Sequence, residues 1–99
     1  MYHIKSELNK VLGRIEDLGK YHSLNYENLH PLLDKAYKII VESFDIEQCH
    51  SILHQLRNHM RTLNQNKSGG DPSKDTDALT IEKVRKESVK ELQVFISHL

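Results

Sequence analysis

Two histidines and two arginines in the middle of the chain have the types and the spacing to bind an anion. They lie in the stretch DIEQCHSILHQLRNHMRTLN (residues 45–64), where apolar residues recur at helical intervals. At about 100° per residue, His50, His54, Arg57 and Arg61 fall within about 60° of one another, on the side away from the apolar face. We call these four residues the basic ridge. An imidazole gains charge near neutral pH and a guanidinium is a planar fork of donors, so the ridge suits a carboxylate or a phosphate.

Two other interpretations of the ridge are open. The simpler one is a solvated helix face that happens to be basic. The other is a metal site, because His50 and His54 at i, i+4 can ligate one ion and Cys49 is adjacent. Cys49 points towards the apolar face, however, and no third ligand stands at motif spacing, so the sequence predicts no metal site. His59, at the edge of the apolar face, is expected to be a boundary residue.

No other pattern indicates catalysis. Cys49 lacks an activating neighbour and should behave as a small apolar residue. The acidic residues have no spacing that identifies acid–base work, and Gly69-Gly70 lacks the strand and the Lys-Ser/Thr of a phosphate loop. We therefore expect a protein that is not an enzyme and that has no cofactor.

The residues His54-Gln-Leu56-Arg57-Asn58 resemble the signature of histidine-containing phosphotransfer domains, which reads His-x-Leu-Lys-Gly. Those domains are helical bundles of similar size with an exposed phospho-accepting His in mid-helix. The resemblance implies that His54 would carry the phosphoryl group, that Leu56 would be an apolar anchor and that Arg57 would replace the Lys. Asn58 stands where the family has Gly, and the match covers only residues 54–64.

Four amphipathic segments must position these residues. The first is expected over residues 2–18, with Gly19 as its stop, because glycine enters the left-handed conformation without a Cβ penalty. The second should have Pro31 in its first turn, where a missing N–H has no consequence, and should run to Phe44. The last is expected from Thr80, a good cap residue, to the C-terminus.

The phase of the apolar residues predicts a break between the second and third helices. The apolar directions before and after residue 45 differ by about 160°, so one straight helix would expose one of them. A reversal at Ser43–Asp45, with Asp45 as the cap of the third helix, lets both face one core. The apolar face of the third helix is predicted to comprise Ile46, Cys49, Ile52, Leu53, Leu56, Met60 and Leu63.

These segments predict an all-α fold, an antiparallel four-helix bundle in a single domain, 1–99. Residues 65–77 contain no large apolar side chain and include Gly69-Gly70 and Pro72. A long flexible loop at about 65–79 is therefore expected before the last helix.

Composition limits the partners and the setting. The 14 basic and 14 acidic residues leave no net charge with neutral His, which argues against non-specific nucleic-acid binding. No apolar run approaches the ~20 residues of a membrane span, and the first ten residues do not form a signal peptide. A single cysteine favours a reducing compartment. We expect a cytoplasmic protein.

The favoured function is a small protein-binding module of the inhibitor, immunity or adaptor type. Its surface would be the basic ridge and its partner another protein with an acidic patch. The alternative is a phosphotransfer-like domain that carries a phosphoryl group on His54. A third class is self-association as a homodimer, which follows if an apolar face is left uncovered.

Overall fold

Four helices account for most of the chain. A computed structural model describes residues 2–20, 24–68 and 75–99, with side chains at 3–20, 24–65 and 79–99. The helices are α1 (Tyr2–Lys20), α2 (Tyr26–Ser43), α3 (His50–Ser68) and α4 (Asp75–Ser97). The described ranges contain no strand, so the all-α prediction is confirmed. Within them, no helix combines the length and the apolar character needed to cross a membrane.

The helices form the predicted four-helix bundle. Each helix packs on the next along the chain, and α4 closes the ring against α1. The start of α2 meets the end of α3, where the Tyr26 hydroxyl donates to Asn64 Oδ1 at 2.5 Å. At the other end, Lys5, Phe44 and Leu99 line one cleft. Neighbouring helices therefore run antiparallel.

One apolar core fills the space between the helices, and it follows the predicted stripes. Its buried apolar members are Leu8, Val11, Leu12, Ile15, Leu29, Leu33, Ala36, Ile40, Cys49, Ile52, Leu53, Leu56, Leu63, Val84, Leu92 and Ile96. Two large apolar side chains, one of them the predicted core residue Ile46, do not face the core. Ile46 is 58% exposed and Leu99 is 43% exposed, because both lie beyond the helix ends.

The predicted start of α2 and the predicted stop of α1 are wrong in detail. Helix α2 begins five residues before Pro31, because Asn25 caps it through a 2.8 Å hydrogen bond from the Asn28 N–H to Asn25 Oδ1. The added turn buries Leu29 completely. Gly19 does not stop α1, which continues to Lys20.

The reversal between α2 and α3 lies where the apolar phase predicts it. Phe44 is extended (φ −131°, ψ 160°), and its N–H donates to the Ile40 carbonyl at 3.0 Å. The Asp45 carbonyl then accepts from the N–H groups of Gln48 and Cys49, and Asp45 Oδ1 accepts from the Glu47 N–H. Asp45 therefore organises a separate turn, and α3 begins at His50, four residues later than a cap at Asp45 implies.

The predicted loop before the last helix is too long at both ends. Helix α3 continues to Ser68, and α4 begins at Asp75, five residues before Thr80. Residues 69–74 of the predicted loop lie outside the described residues.

Candidate functional site

The basic ridge lies on the outer face of α3. His50, His54, Arg57 and Arg61 are all exposed, whereas Leu56 on the opposite side is completely buried. At 1.5 Å per residue, the ridge spans roughly 16 Å along the helix axis. The structure therefore places the four predicted residues on one surface.

The two ridge histidines interact with each other and with a neighbouring amide. The His50 and His54 rings are stacked, with centroids 6.2 Å apart and planes at 5°. His54 Nε2 lies 3.2 Å from Asn58 Nδ2. Because an amide nitrogen only donates, Nε2 accepts here, and the proton of a neutral His54 ring is on Nδ1. Asn58 therefore covers the ring nitrogen that points along the helix.

Arg57 is held by a residue of another helix. Its Nη2 donates to the Tyr37 hydroxyl on α2 at 2.7 Å, and its guanidinium carbon lies 5.8 Å from the Tyr37 ring centroid. Both contacts restrict the long arginine side chain, so less conformational entropy is lost when it binds an anion. Sequence reasoning missed Tyr37 as a site residue because it precedes Arg57 by twenty positions and lies in the apolar stripe of α2.

The ridge borders a shallow cleft between α2 and α3. Its apolar wall comprises Val41, Ile46 and Leu53. Tyr37 and the ridge residues His50, His54 and Arg57 complete the lining. The exposed Ile46 therefore belongs to the same surface as the ridge.

The charge on α3 is not balanced within the helix. Residues 50–68 contain Arg57, Arg61 and Lys67 but no Asp or Glu, whereas α1, α2 and α4 each contain both signs. Among the side chains that the structure describes, no carboxylate forms an ion pair with Arg57 or Arg61. Both arginines are therefore available to an external anion.

A second polar group lies between α3 and α4. His59 Nε2 is 2.6 Å from Glu91 Oε1, and these side chains are only 13% and 19% exposed. Glu87 joins them, so that one donor atom from each residue lies within 4.8 Å of the others. His59 is at the edge of the core, as expected, but its partners are 28 and 32 positions away. No spacing in the sequence reveals such a group.

Cys49 is a free thiol in the core, only 4% exposed. Burial raises the pKa of its thiol, and the negative charge of Asp45 raises it further. The group is therefore held in the protonated form, which is a poor nucleophile and a poor metal ligand. This supports its interpretation as a small apolar residue.

Comparison with known proteins assigns neither a family nor a function to the chain. No model of a protein family, no curated protein and no solved structure matches the chain significantly. The likeness of residues 54–58 to phosphotransfer domains therefore remains a prediction that rests on those residues alone.

Proposed function

We propose that the chain is a non-enzymatic, cytoplasmic protein-binding module that docks an acidic segment of a partner protein on the basic ridge. The proposal rests on one observation: two arginines that form no ion pair in the described residues lie beside an apolar cleft. Charge alone is common on solvated helices. A cation row bordered by Val41, Ile46 and Leu53 offers both the steering and the apolar contact that a protein interface uses.

The chemistry of the surface defines the partner segment. Arg57 and Arg61 lie four residues apart, and each can donate hydrogen bonds to a carboxylate. Tyr37 already positions Arg57. The cleft beside them has room for an aliphatic or aromatic side chain. The expected ligand is therefore a short segment in which Asp or Glu residues flank one apolar residue, and the apolar residue and Arg57 should contribute most of the affinity.

Selection from a random peptide library displayed on phage tests this proposal. The wild-type protein should enrich peptides with acidic residues beside an apolar one. The variant Arg57→Glu/Arg61→Glu should lose that enrichment. The exposed pair Lys10→Glu/Lys35→Glu on α1 and α2 has the same change of charge and should keep it. Equal enrichment by both variants, or none by the wild type, would contradict the proposal.

The two histidines predict how binding depends on pH. Binding of an acidic group favours the protonated, cationic form of an imidazole, so such binding is strengthened as the pH falls. A selected acidic peptide should bind the wild type more tightly at pH 6 than at pH 8, and His50→Gln/His54→Gln should remove most of the difference. The same or weaker affinity of the wild type at pH 6 would count against the ridge as the contact surface.

Phosphotransfer is the second candidate, and the exposure of His54 in mid-helix favours it. Nε2 of His54, once released from the Asn58 amide, would attack the phosphorus of an aspartyl phosphate on a receiver domain and release the aspartate. Phosphorylated receivers should then leave acid-labile phosphate on the wild type and none on His54→Gln. Absence of label on the wild type with several receivers would rule this candidate out.

A further inference from the structure

The group between α3 and α4 has the composition of a transition-metal site. It comprises the imidazole of His59 on α3 and the carboxylates of Glu87 and Glu91, one turn apart on α4. Imidazole and carboxylate are among the ligands that zinc takes in proteins, and three protein ligands are enough for a site with an open fourth position. We propose that His59, Glu87 and Glu91 bind one zinc ion that links α3 to α4.

The geometry is close to what zinc requires. Ligand atoms about 2.0–2.2 Å from a tetrahedral zinc ion lie roughly 3.3 Å from one another. The donor atoms here lie within 4.8 Å, and His59 Nε2 and Glu91 Oε1 are 2.6 Å apart. To bind the ion, the Glu87 carboxylate would move inward, and the ion would replace the proton between His59 and Glu91.

Burial and charge separate this group from an ordinary row of surface acids. Half-buried His59 and Glu91 hold each other in place, so two of the three ligands are already ordered. The cleft around them is lined by Gln55, Asn58 and Lys90. With neutral His59, two carboxylates against the one ammonium of Lys90 leave a net negative charge that a divalent cation would neutralise.

The site is distinct from the basic ridge, and this departs from the expectation that the chain has no metal site. His50 and His54 also stand at i, i+4, but they offer two ligands and no described carboxylate completes them. The ridge pair is therefore the competitor that an experiment must separate from the proposed site.

Calorimetric titration of the full chain with zinc chloride decides between the proposed site and the ridge histidines. The wild type should bind one zinc ion, and zinc should raise its melting temperature. Glu87→Gln should weaken binding at least tenfold, because even outer-shell partners of a ligand change affinity by ~10–100-fold. Glu87 is exposed, so this variant should melt like the wild type without zinc.

Two controls complete the test. Glu42→Gln changes an exposed acid of α2 by the same amount and should bind like the wild type, as should His50→Gln/His54→Gln. The proposal is overturned if the wild type does not bind zinc, if Glu87→Gln binds as tightly as the wild type, or if the ridge double variant loses binding. The proposed zinc site and the basic ridge share no residue. A negative result for zinc would therefore not bear on the proposed binding of an acidic partner to the ridge.

Discussion

At the scale of single residues, the polar groups at the edge of the core differ in whether they have a partner. His59 and Glu91 satisfy each other across two helices, and Glu82 is paired with Arg85. Ser88 is different: its side chain is completely buried, and its Oγ has no hydrogen-bond partner among the described residues. An unsatisfied buried hydroxyl costs about 1–3 kcal/mol.

We expect Ser88→Ala to stabilise the bundle. Alanine removes the unsatisfied hydroxyl, leaves almost the same volume and is the better helix former, so the gain should be about 1 kcal/mol. Urea denaturation of both proteins measures it. A less stable Ser88→Ala variant would show that the hydroxyl does have a partner in solution.

The ion pair between Glu82 and Arg85 predicts a dependence of stability on pH. Arg85 donates to both Glu82 oxygens, at 2.6 and 3.0 Å, and these hydrogen bonds lower the pKa of the Glu82 carboxyl below its ordinary value of 4.5. The unfolded state therefore binds the proton more readily, so the pair stabilises the fold above pH 4.5 and loses this effect as the pH falls through the lowered value.

Glu82→Gln should accordingly be less stable than the wild type at pH 7, and the difference should shrink as the pH falls below 4.5. Urea denaturation at pH 7, 5 and 3 measures the two curves. The exposed Glu42→Gln is the control and should follow the wild type. A Glu82→Gln difference that stays constant over this range would contradict the proposed ion pair.

At the scale of elements, the two glycines of α1 have different surroundings. A Cβ on Gly13 would meet no other atom within 4 Å, so packing does not require a glycine at this position. A Cβ on Gly19 would lie 2.6 Å from Cζ of Arg85. The guanidinium of Arg85 on α4 therefore packs on the backbone of α1, and a Cβ at Gly19 would require the end of this side chain to shift.

The two glycines form a matched pair for mutation. Gly13→Ala should stabilise the protein by about 1 kcal/mol, which is the difference in helix propensity. Gly19→Ala has the same propensity gain but displaces Arg85 from Glu82, so its net gain should be smaller or reversed. Thermal denaturation of both variants compares them, and equal stabilisation would show that Arg85 moves aside without loss.

At the scale of the whole molecule, the stability depends on a single core. Leu56 is completely buried at the centre of the apolar face of α3. Leu56→Ala should cost about 2–5 kcal/mol, a large part of the roughly 5–15 kcal/mol expected for a domain of this size. Val94→Ala, at a position 53% exposed, should be nearly neutral. Full stability of Leu56→Ala in urea denaturation would mean that α3 is turned the other way.

The burial of the apolar helix faces also predicts whether the protein associates with itself. The apolar faces of all four helices meet in the core, and the large apolar side chains that are most exposed are Ile46, Leu79, Val94 and Leu99. No complete helix stripe is left uncovered in the described residues. We therefore expect a monomer, with the same sedimentation coefficient at low and at high concentration.

The sequence by itself determined the fold class, the four apolar faces and the outward direction of the basic ridge. Each of these follows from the helical period, which relates residues three and four positions apart and needs no knowledge of other helices. The 160° change of apolar phase located the reversal before α3 for the same reason. The helix ends were predicted less well than the helix faces. Asn25 caps α2 upstream of Pro31, and Asp45 forms a separate turn instead of capping α3.

The tertiary structure decided every feature that joins residues of different helices. These are the Tyr37 contact that holds Arg57, the apolar cleft beside the ridge, the packing of Arg85 on Gly19, and the group of His59, Glu87 and Glu91. Apart from those of the cleft, the contacts between helices join residues that lie from 20 to 66 positions apart along the chain. Only the relative rotation and height of the packed helices bring such residues together, and a periodic pattern within one helix contains neither quantity.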